Sequence, residues 1–430
     1  MKLNDKKTIN AWCSYDLANS VYNLIITTAI FPIYYTNATE AAFGGSMVVF
    51  FGIEMENSVL YSYAISFSFL ISVILYPILS GIADYRGTKK RFMRFFTYIG
   101  SAACIGLYFF EGSNIELGIM LAITASIGYA SSVVFYNAFL PEIASEDQMD
   151  SVSARGFSMG YLGSVLLLVL SLVMVSIPET FGFDGAGSAT QFVFLLVGFW
   201  WFGFAHIAFG VLQDKPTNNK ITSATLRLGL KELKKVFASL RQKIDSIRFL
   251  RSFFFYSMGV QTVMLLAPLF AASEIGMESS ELIIVILIIQ LVAIGGAYLF
   301  ASISGKYGNK TSLMSAAAIW MLICVIGYTV GDKNVFYGLA GLLGLVMGGI
   351  QSISRSTYSK LIPEGTQDTA SYFSFYDVTE KLAIVIGTFS YGLIDQISGN
   401  MRNSILFMAL FFALGILFLL KAKLPKSETN

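Results

Sequence analysis

Long apolar stretches follow one another along almost the whole chain and are separated by short polar segments. A bilayer core needs about 20 residues of apolar helix, and backbone groups inside lipid must bond within their own segment. The pattern therefore predicts an all-α integral membrane protein with twelve transmembrane helices. The predicted spans are 11–35, 58–83, 92–110, 117–140, 154–177, 189–212, 250–272, 282–304, 312–330, 335–358, 370–394 and 404–420.

The composition supports a membrane protein and removes several classes of function. Of the 430 residues, 55% are hydrophobic and 13% charged, against about 25% charged in an average soluble domain. The three cysteines lie in apolar stretches and His206 is the one histidine, so we expect no disulfide framework, metal site or cofactor. His206 is expected to be a packed, hydrogen-bonded residue rather than a proton carrier. Phosphate-loop and nucleophile-elbow motifs are absent from the sequence, and an enzyme is not expected.

The charged residues of the loops alternate in sign along the chain. Lys and Arg gather in the N-terminal tail, in the loops after every second span, in the segment 213–251 and in the C-terminal tail, whereas Asp and Glu dominate the intervening loops. The positive-inside rule therefore predicts that both termini are cytoplasmic. We expect a multi-pass protein of a bacterial-type inner membrane. The first span has no cleavage-site pattern and is interpreted as a retained helix.

The basic segment in the middle of the chain divides it into 1–212, a linker 213–249, and 250–430. Apolar residues recur there at three- and four-residue spacing, with Lys231, Lys234, Lys235 and Arg241 on other faces. This pattern predicts an amphipathic basic helix. It could lie on an anionic membrane surface, pack as a linker helix, or dock a regulator. The apolar positions are Leu226, Leu230, Leu233, Phe237, Leu240 and Ile244.

The two halves of the chain carry a weak internal repeat. Gly87 and Lys89 recur 221 residues later as Gly308 and Lys310. The Pro-Glu pair at 141–142 recurs 222 residues later. Two matches at nearly one offset predict two pseudo-symmetric six-helix bundles, with a substrate site between them near the middle of the membrane.

The loop 80–91 resembles the helix 2–3 signature of the major facilitator superfamily. Asp84, Gly87, Lys89 and Lys90 match that signature. The resemblance implies the major facilitator fold and a tight turn that brackets cytoplasmic helix ends and gates alternating access.

A more specific resemblance is to the vacuolar-effluxer-like family, whose yeast members export amino acids from the vacuole. It rests on AWCSYDLANS at 11–20, YNAFLPE at 136–142, GIQSISRS at 349–356, IPE at 362–364 and FYDVTEK at 375–381. The resemblance implies an effluxer whose substrates are amino acids.

Several charged and polar residues fall inside the predicted spans. A charge near the bilayer centre costs about 2.5–3.5 kcal/mol on insertion scales, so such residues persist where they pair or face water. These are candidates for a substrate or proton site: Tyr15, Asp16, Asn19, Gln351, Arg355, Tyr376, Asp377, Glu380 and Lys381.

Three interpretations of this set remain open. A zwitterionic substrate could place its carboxylate on Arg355 or Lys381 and its ammonium on an acid, leaving one acid to carry a proton. Asp16, Arg355 and Asp377 could instead form a salt-bridge gate, with Arg155 at the repeat position of Asp377. Asp377 and Lys381, four residues apart on one helix, could simply neutralise each other.

These observations favour a secondary active transporter that works by alternating access. The expected partners are a small-molecule substrate and the lipid bilayer, with protons as a candidate coupling ion; we expect a monomer and no nucleic-acid partner. Amino acids or similar small zwitterions are the expected substrates. The alternatives are an exporter of lysolipids, drugs or other amphiphiles, and a non-transporting membrane sensor or scaffold.

Overall fold

The computed structural model describes residues 1–217 and 225–424, and most of them are helical. Residues 218–224 of the predicted linker and Lys426 of the basic tail lie outside the described residues. The first helices are α1 Lys6–Val21, α2 Phe31–Phe43, α3 Asn57–Arg86, α4 Lys89–Gly106, α5 Ile115–Asn137, α6 Leu140–Ile143, α7 Met149–Ser176 and α8 Ala186–Val211. The others are α9 Thr225–Gln242, α10 Ile244–Ile275, α11 Ser279–Tyr307, α12 Asn309–Thr329, α13 Lys333–Leu361, α14 Thr369–Ser398 and α15 Met401–Lys421.

Eleven spans of the described residues are long and apolar enough to cross a membrane, if a bent pair of helices at the start is counted as one. The predicted span 370–394 corresponds to α14, which has 30 residues. Asp377, Glu380 and Lys381 lower its hydropathy, so α14 is not among the eleven. The count of twelve therefore stays a prediction.

The first predicted span, 11–35, is broken rather than continuous. After α1 the chain winds as a π-helix from Tyr22 to Ala29, and α2 then leaves at an angle of 44°. Pro32 lies in the first turn of α2, where its missing N–H group cannot continue the helical hydrogen bonds of the preceding turn. A proline after a π-helical turn is a sufficient cause for the bend.

A small β-hairpin that the sequence pattern did not predict connects α2 and α3. Strands β1 Met47–Phe50 and β2 Ile53–Glu56 pair antiparallel, with Met47 opposite Glu56. The turn between them uses Phe51 and Gly52, both with positive φ. This segment of β-branched and aromatic residues is short and lies between two long apolar stretches, which dominate the hydrophobic pattern.

The helices pack as two sets that meet along one interface. In the first set α1, α3, α4, α5, α7 and α8 contact one another, and in the second set α10–α15 do so. Between the sets, α7 contacts α11 and α13, and α14 contacts α3 and α5. The domain limits at 212 and 250 stay a prediction; α10 begins at Ile244, inside the predicted linker, with Ser246 and Phe249 already buried.

Both ends of the described chain lie at the same end of the bundle, here called the basic end. The Asn4 amide donates to the Ile143 carbonyl of α6 at 2.8 Å. The Lys423 amide donates to Asp245 in the first turn of α10 at 2.9 Å. The α3–α4 turn lies there too, because Lys89 reaches Glu142 of α6.

The contact between α11 and α13 depends on residues without a side chain. A Cβ atom built on Gly348 would lie 2.2 Å from the backbone oxygen of Ala293, closer than any real contact. Small residues at such positions let membrane helices approach closely and pack by van der Waals contact. Gly338, on the same helix, has open space around it.

We expect Gly348→Ala to lower the free energy of unfolding by about 1–3 kcal/mol, because the methyl group pushes α11 away from α13. The matched change Gly338→Ala meets no atom and removes a flexible residue from a helix, so it should leave stability equal or slightly higher. Thermal unfolding of the purified protein in detergent measures both. Equal unfolding temperatures for the two variants would contradict this account of the packing.

Candidate functional site

The centre of the interface at the basic end is the guanidinium of Arg355. It lies on α13, about 9 Å before the end of that helix, and is only 3% exposed. Its Nη1 atom donates to Asp16 Oδ2 on α1 at 3.1 Å and to Asn137 at 3.4 Å. Its Nε and Nη2 atoms donate to the hydroxyl and carbonyl oxygens of Ser153 on α7 at 2.9 and 2.8 Å. One side chain from the second helix set thus binds three elements of the first.

Aromatic rings enclose this ion pair. The guanidinium carbon of Arg355 lies 4.1 Å from the centre of the Phe157 ring and 4.7 Å from that of Trp12. The Tyr136 hydroxyl donates to the same Asp16 oxygen at 2.7 Å. Cation–π contact and a second donor together compensate for the water that both charges have lost.

Gly156 gives this cluster its space. A Cβ atom there would lie 2.6 Å from Asp16 Oδ2 and 2.8 Å from Arg355 Nη2. The absence of a side chain at Gly156 therefore makes room for the ion pair. The site is shaped by a missing side chain as well as by the charged ones.

Closer to the basic end, Asp84 holds the first turn of α14. Its two carboxylate oxygens accept the Ala370 and Ser371 amides at 3.2 and 2.7 Å. A carboxylate at a helix N-terminus satisfies free N–H groups and interacts favourably with the helix dipole. The end of α3, in the first helix set, is thereby fixed to the start of α14, in the second.

Lys89 makes a second contact beside this one. It forms an ion pair with Glu142 and donates to Thr369 Oγ1 at 2.6 Å. Lys215 approaches the other oxygen of Glu142 at 3.2 Å. The ion pair with Glu142 joins two residues of the first helix set, whereas the hydrogen bond to Thr369 joins Lys89 to the start of α14 in the second set.

The third connection is centred on Asp150, in the first turn of α7. Its carboxylate accepts from Ser304 at 2.9 Å, from Asn309 at 2.8 Å and from Lys360 at 2.8 Å. The side chains of Lys360 and Asp150 are 2% and 6% exposed. Asp150 therefore bonds α11, α12 and α13 at once.

The segment after α8 covers the α3–α4 turn. Gly87 has φ 64°, and a Cβ atom there would lie 1.8 Å from the Lys215 carbonyl oxygen, so only glycine fits. Asp214 accepts the Lys90 amide at 2.7 Å. Burial raises the pKa of Asp214, and the amides of Lys90 and Arg91 oppose that shift. Lys90 thus contributes its backbone at this turn.

A half-buried polar group lies deeper in the bundle, about 17 Å along α14 from its start. Lys381 is 3.5 Å from Glu380, and Gln261 of α10 donates to Glu380 at 3.0 Å. The ammonium of Lys381 also lies 5.5 Å from the ring centre of Phe69 on α3, across the interface. At a comparable depth Tyr161 of α7 donates to Gln351 of α13 at 2.8 Å. We call Gln261, Gln351, Glu380 and Lys381 the midplane group.

Several buried side-chain atoms of the described residues have no hydrogen-bond partner. Two of them belong to candidate residues: Oδ2 of Asp377 and the amide nitrogen of Asn19. The ion pair that Lys381 makes is with Glu380, not with Asp377. Asp377 is therefore a buried carboxyl group, 4% exposed, without a cation in contact within the described part of the chain.

Some of the sequence candidates lie outside these clusters. The Tyr15 hydroxyl bonds Thr97 at 2.6 Å, inside the first helix set. Tyr376 stacks on Phe253 at 4.1 Å, inside the second. Arg155 is exposed, on the other side of α7 from Ser153 and Arg355. His206 bonds the Tyr98 hydroxyl at 3.0 Å and is exposed on α8.

The structure adds residues that the sequence pattern did not indicate. Ser153, Asn309 and Gln261 are uncharged and carry no distinguishing spacing, so only the fold brings them to the site. Asp150 and Lys360 were assigned to loops, although both are almost fully buried.

Removing one partner of the buried pair should cost more than removing both. Arg355→Gln leaves Asp16 charged and unpaired in a dry site, so we expect a loss of about 3–5 kcal/mol of stability. The double variant Asp16→Asn/Arg355→Gln should recover part of that loss, since no charge is left buried. A double-mutant cycle of unfolding free energies in detergent measures this coupling. Strictly additive single losses would show that the two side chains do not interact.

The chain is similar in sequence to proteins of one known family. The family model described as "Vacuole effluxer Atg22 like" matches residues 4–430. An uncharacterized MFS-type transporter, YxiO, of Bacillus subtilis is 30% identical, over 96% of this chain and 94% of its own length. Autophagy-related protein 22-1 of Penicillium rubens is 26% identical, over 88% of this chain and 77% of its own.

The fold agrees with that assignment. The solved structure of FucP, a major facilitator superfamily transporter in the outward conformation, aligns with a TM-score of 0.71 at 15% identity, covering 96% of this chain and 98% of that one. The two helix sets are thus the two bundles of the major facilitator fold. The chain is a multi-pass membrane transporter and belongs to the Atg22-like vacuole effluxer family of the major facilitator superfamily.

Proposed function

We propose that this transporter moves amino acids or similar small zwitterions outward across a bacterial-type inner membrane, as a proton-coupled monomer. The basic end, where both ends of the described chain lie, is taken to be cytoplasmic, in keeping with the positive-inside rule. Export of amino acids rests in part on the family resemblance. The remaining support comes from the positions of the charges along the interface.

The observation that carries the proposal is the pair of opposite charges in the midplane group. The side chains of Glu380 and Lys381 are 21% and 13% exposed, and the Lys381 ammonium lies beside Phe69 of the other bundle. A zwitterion offers a carboxylate to Lys381 and an ammonium to Glu380, and each contact is a charge-assisted hydrogen bond. Gln261 and Gln351 add neutral groups that can both donate and accept hydrogen bonds to polar groups of the substrate.

The contacts at the basic end serve as the gate in this proposal. The Asp16–Arg355 ion pair and the hydrogen bonds of Asp84 and Asp150 hold the two bundles together on the cytoplasmic side. The midplane group lies deeper in the membrane than these contacts. A transporter of this fold rocks one bundle against the other around a central site. Opening the inner side then requires Arg355 to leave Asp16, and a substrate carboxylate or water would take the place of that contact.

Asp377 is the proposed proton carrier. It is buried without an ion pair among the described residues, and an isolated carboxylate in a medium of low dielectric constant is disfavoured against the neutral acid. It lies on α14, three residues before Glu380. Entry of a cationic group at Glu380 would favour loss of the proton, which links solute and proton binding.

We expect Lys381→Gln to reduce amino-acid efflux from proteoliposomes at least tenfold, since the carboxylate loses its charged partner. Lys333→Gln removes the same charge from an exposed pair with Glu281 and should leave efflux unchanged. The measurement is protein-dependent loss of a mixed, internally labelled amino-acid pool. Unchanged efflux in Lys381→Gln would remove the midplane group from the substrate site.

For Asp377→Asn we expect efflux that no longer responds to an imposed pH gradient, while exchange of labelled for unlabelled substrate persists. The neutral amide can bind in place of the protonated acid but cannot release a proton. Asp395→Asn, on the same helix, is the matched control and should keep the response. A full response to the gradient in Asp377→Asn would place the proton elsewhere.

The same liposomes separate the alternatives. If folded protein releases no amino acid above protein-free liposomes, the zwitterion proposal fails. Loss of a labelled lysolipid or amphiphilic dye from those liposomes would then identify the substrate class. No loss of any solute would favour a sensor or scaffold.

A further inference from the structure

The linker helix α9 has two faces of different character. Val236 and Leu240 are 1% and 2% exposed and face the bundle. With about 100° of rotation per residue, the opposite arc holds exposed cations. These are Arg227, Lys231, Lys234 and Arg241.

The buried face of α9 joins the two bundles. α9 packs against both α3 and α14. The Tyr372 hydroxyl of α14 donates to Ser239 at 2.9 Å, and Lys235 approaches Asp368 at 2.8 Å. These contacts fall beside the first turn of α14, which Asp84 holds from the other bundle. α9 is therefore positioned to stabilise the closed arrangement of the basic end.

The exposed face of α9 lies close to the expected membrane surface. A single residue, Lys243, separates α9 from α10, and the predicted span within α10 begins at residue 250, about 9 Å beyond the start of that helix. Leu230 and Phe237 are 46% and 50% exposed and lie next to the cations on the outer arc. Exposed apolar side chains bordering a basic face are typical of helices that rest in the headgroup region of a bilayer.

The charge of α9 selects the lipid. Its sequence has five basic residues and one acid, Glu232. Neutral headgroups carry no net charge to pair with such a face, whereas anionic headgroups do. Lys235 is occupied by Asp368, which leaves the four cations of the outer arc for the membrane.

We propose that the outer arc of α9 binds the headgroups of anionic phospholipids, and that this binding stabilises the closed basic end. A ligand shifts a conformational equilibrium by its difference in affinity for the two states. Lipid bound to α9 while its other face contacts both bundles favours the state in which those contacts exist. This regulation is independent of which solute is carried, so it stands or falls separately from the proposed substrate.

The test uses the full-length protein in phosphatidylcholine nanodiscs with and without phosphatidylglycerol. Two readouts are taken: the unfolding temperature, and hydrogen exchange of the Ala370 and Ser371 amides, which Asp84 accepts in the closed arrangement. Phosphatidylglycerol should raise the unfolding temperature and slow the exchange of the two amides at least threefold. Both effects should fall at high ionic strength because salt screens the contact.

Lys231→Gln/Lys234→Gln/Arg241→Gln should lose both effects, since each basic residue near an anionic surface contributes about fivefold in affinity. Lys2→Gln/Lys6→Gln/Lys7→Gln removes the same charge at the same end and should keep them. Lys231→Arg/Lys234→Arg preserves the charge, so this variant should keep both lipid effects. It provides a second test of the role of charge if the glutamine variant does not fold.

The proposal would be overturned by no difference between the two lipids in the unaltered protein, by a salt-insensitive difference, or by loss of the effects in the N-terminal variant with retention in the α9 variant. The last would place the lipid site on the N-terminal tail. Stabilisation by phosphatidylglycerol without slower exchange at Ala370 and Ser371 would contradict the link to closure.

Discussion

Burying the guanidinium of Arg355 is the constraint on which the closed arrangement depends. A charge that has left water must find both an opposite charge and hydrogen-bond acceptors for its remaining donors. Asp16, Ser153 and Asn137 supply them from three elements of the first bundle. Because those elements must converge on one side chain of α13, the ion pair fixes how the two bundles sit against each other at the basic end.

Two carboxylates nearer the surface, Asp84 and Asp150, also join the two bundles. Asp84 lies in the last turn of α3 and accepts hydrogen bonds from backbone amides at the start of α14. At the equivalent place in the second half Gly305 replaces the acid, and Asp150 at the start of α7 bonds Ser304, Asn309 and Lys360 instead. Both carboxylates lie on the first half, so the cations and N–H donors that meet them come from the second.

Hydropathy predicted the fold well because lipid imposes one requirement on every span, whereas irregular features escaped it. The bend at Ile30 and the hairpin of β1 and β2 follow from single residues, Pro32 and Gly52, inside stretches with strong average patterns. For the site, the cost of charge in lipid selected Asp16, Arg355 and Asp377, which are buried, together with Glu380 and Lys381, which are half-buried. It could not distinguish which charges meet: Lys381 turns to Glu380 rather than Asp377, and Arg155 faces away from the interface. Those outcomes depend on helix rotation, which hydropathy does not determine.

The central claim is that the Asp16–Arg355 contact holds the basic end closed and breaks during the transport cycle. Spin labels on Glu146→Cys and Gln367→Cys report the separation of the bundles. Both residues are exposed, each belongs to a different bundle, and both line the cavity of about 480 Å³ at the basic end. The native cysteines are buried. The account predicts one short distance in the resting protein and a second, longer distance when Asp16→Asn is introduced. A single short distance, unchanged in Asp16→Asn, would contradict it.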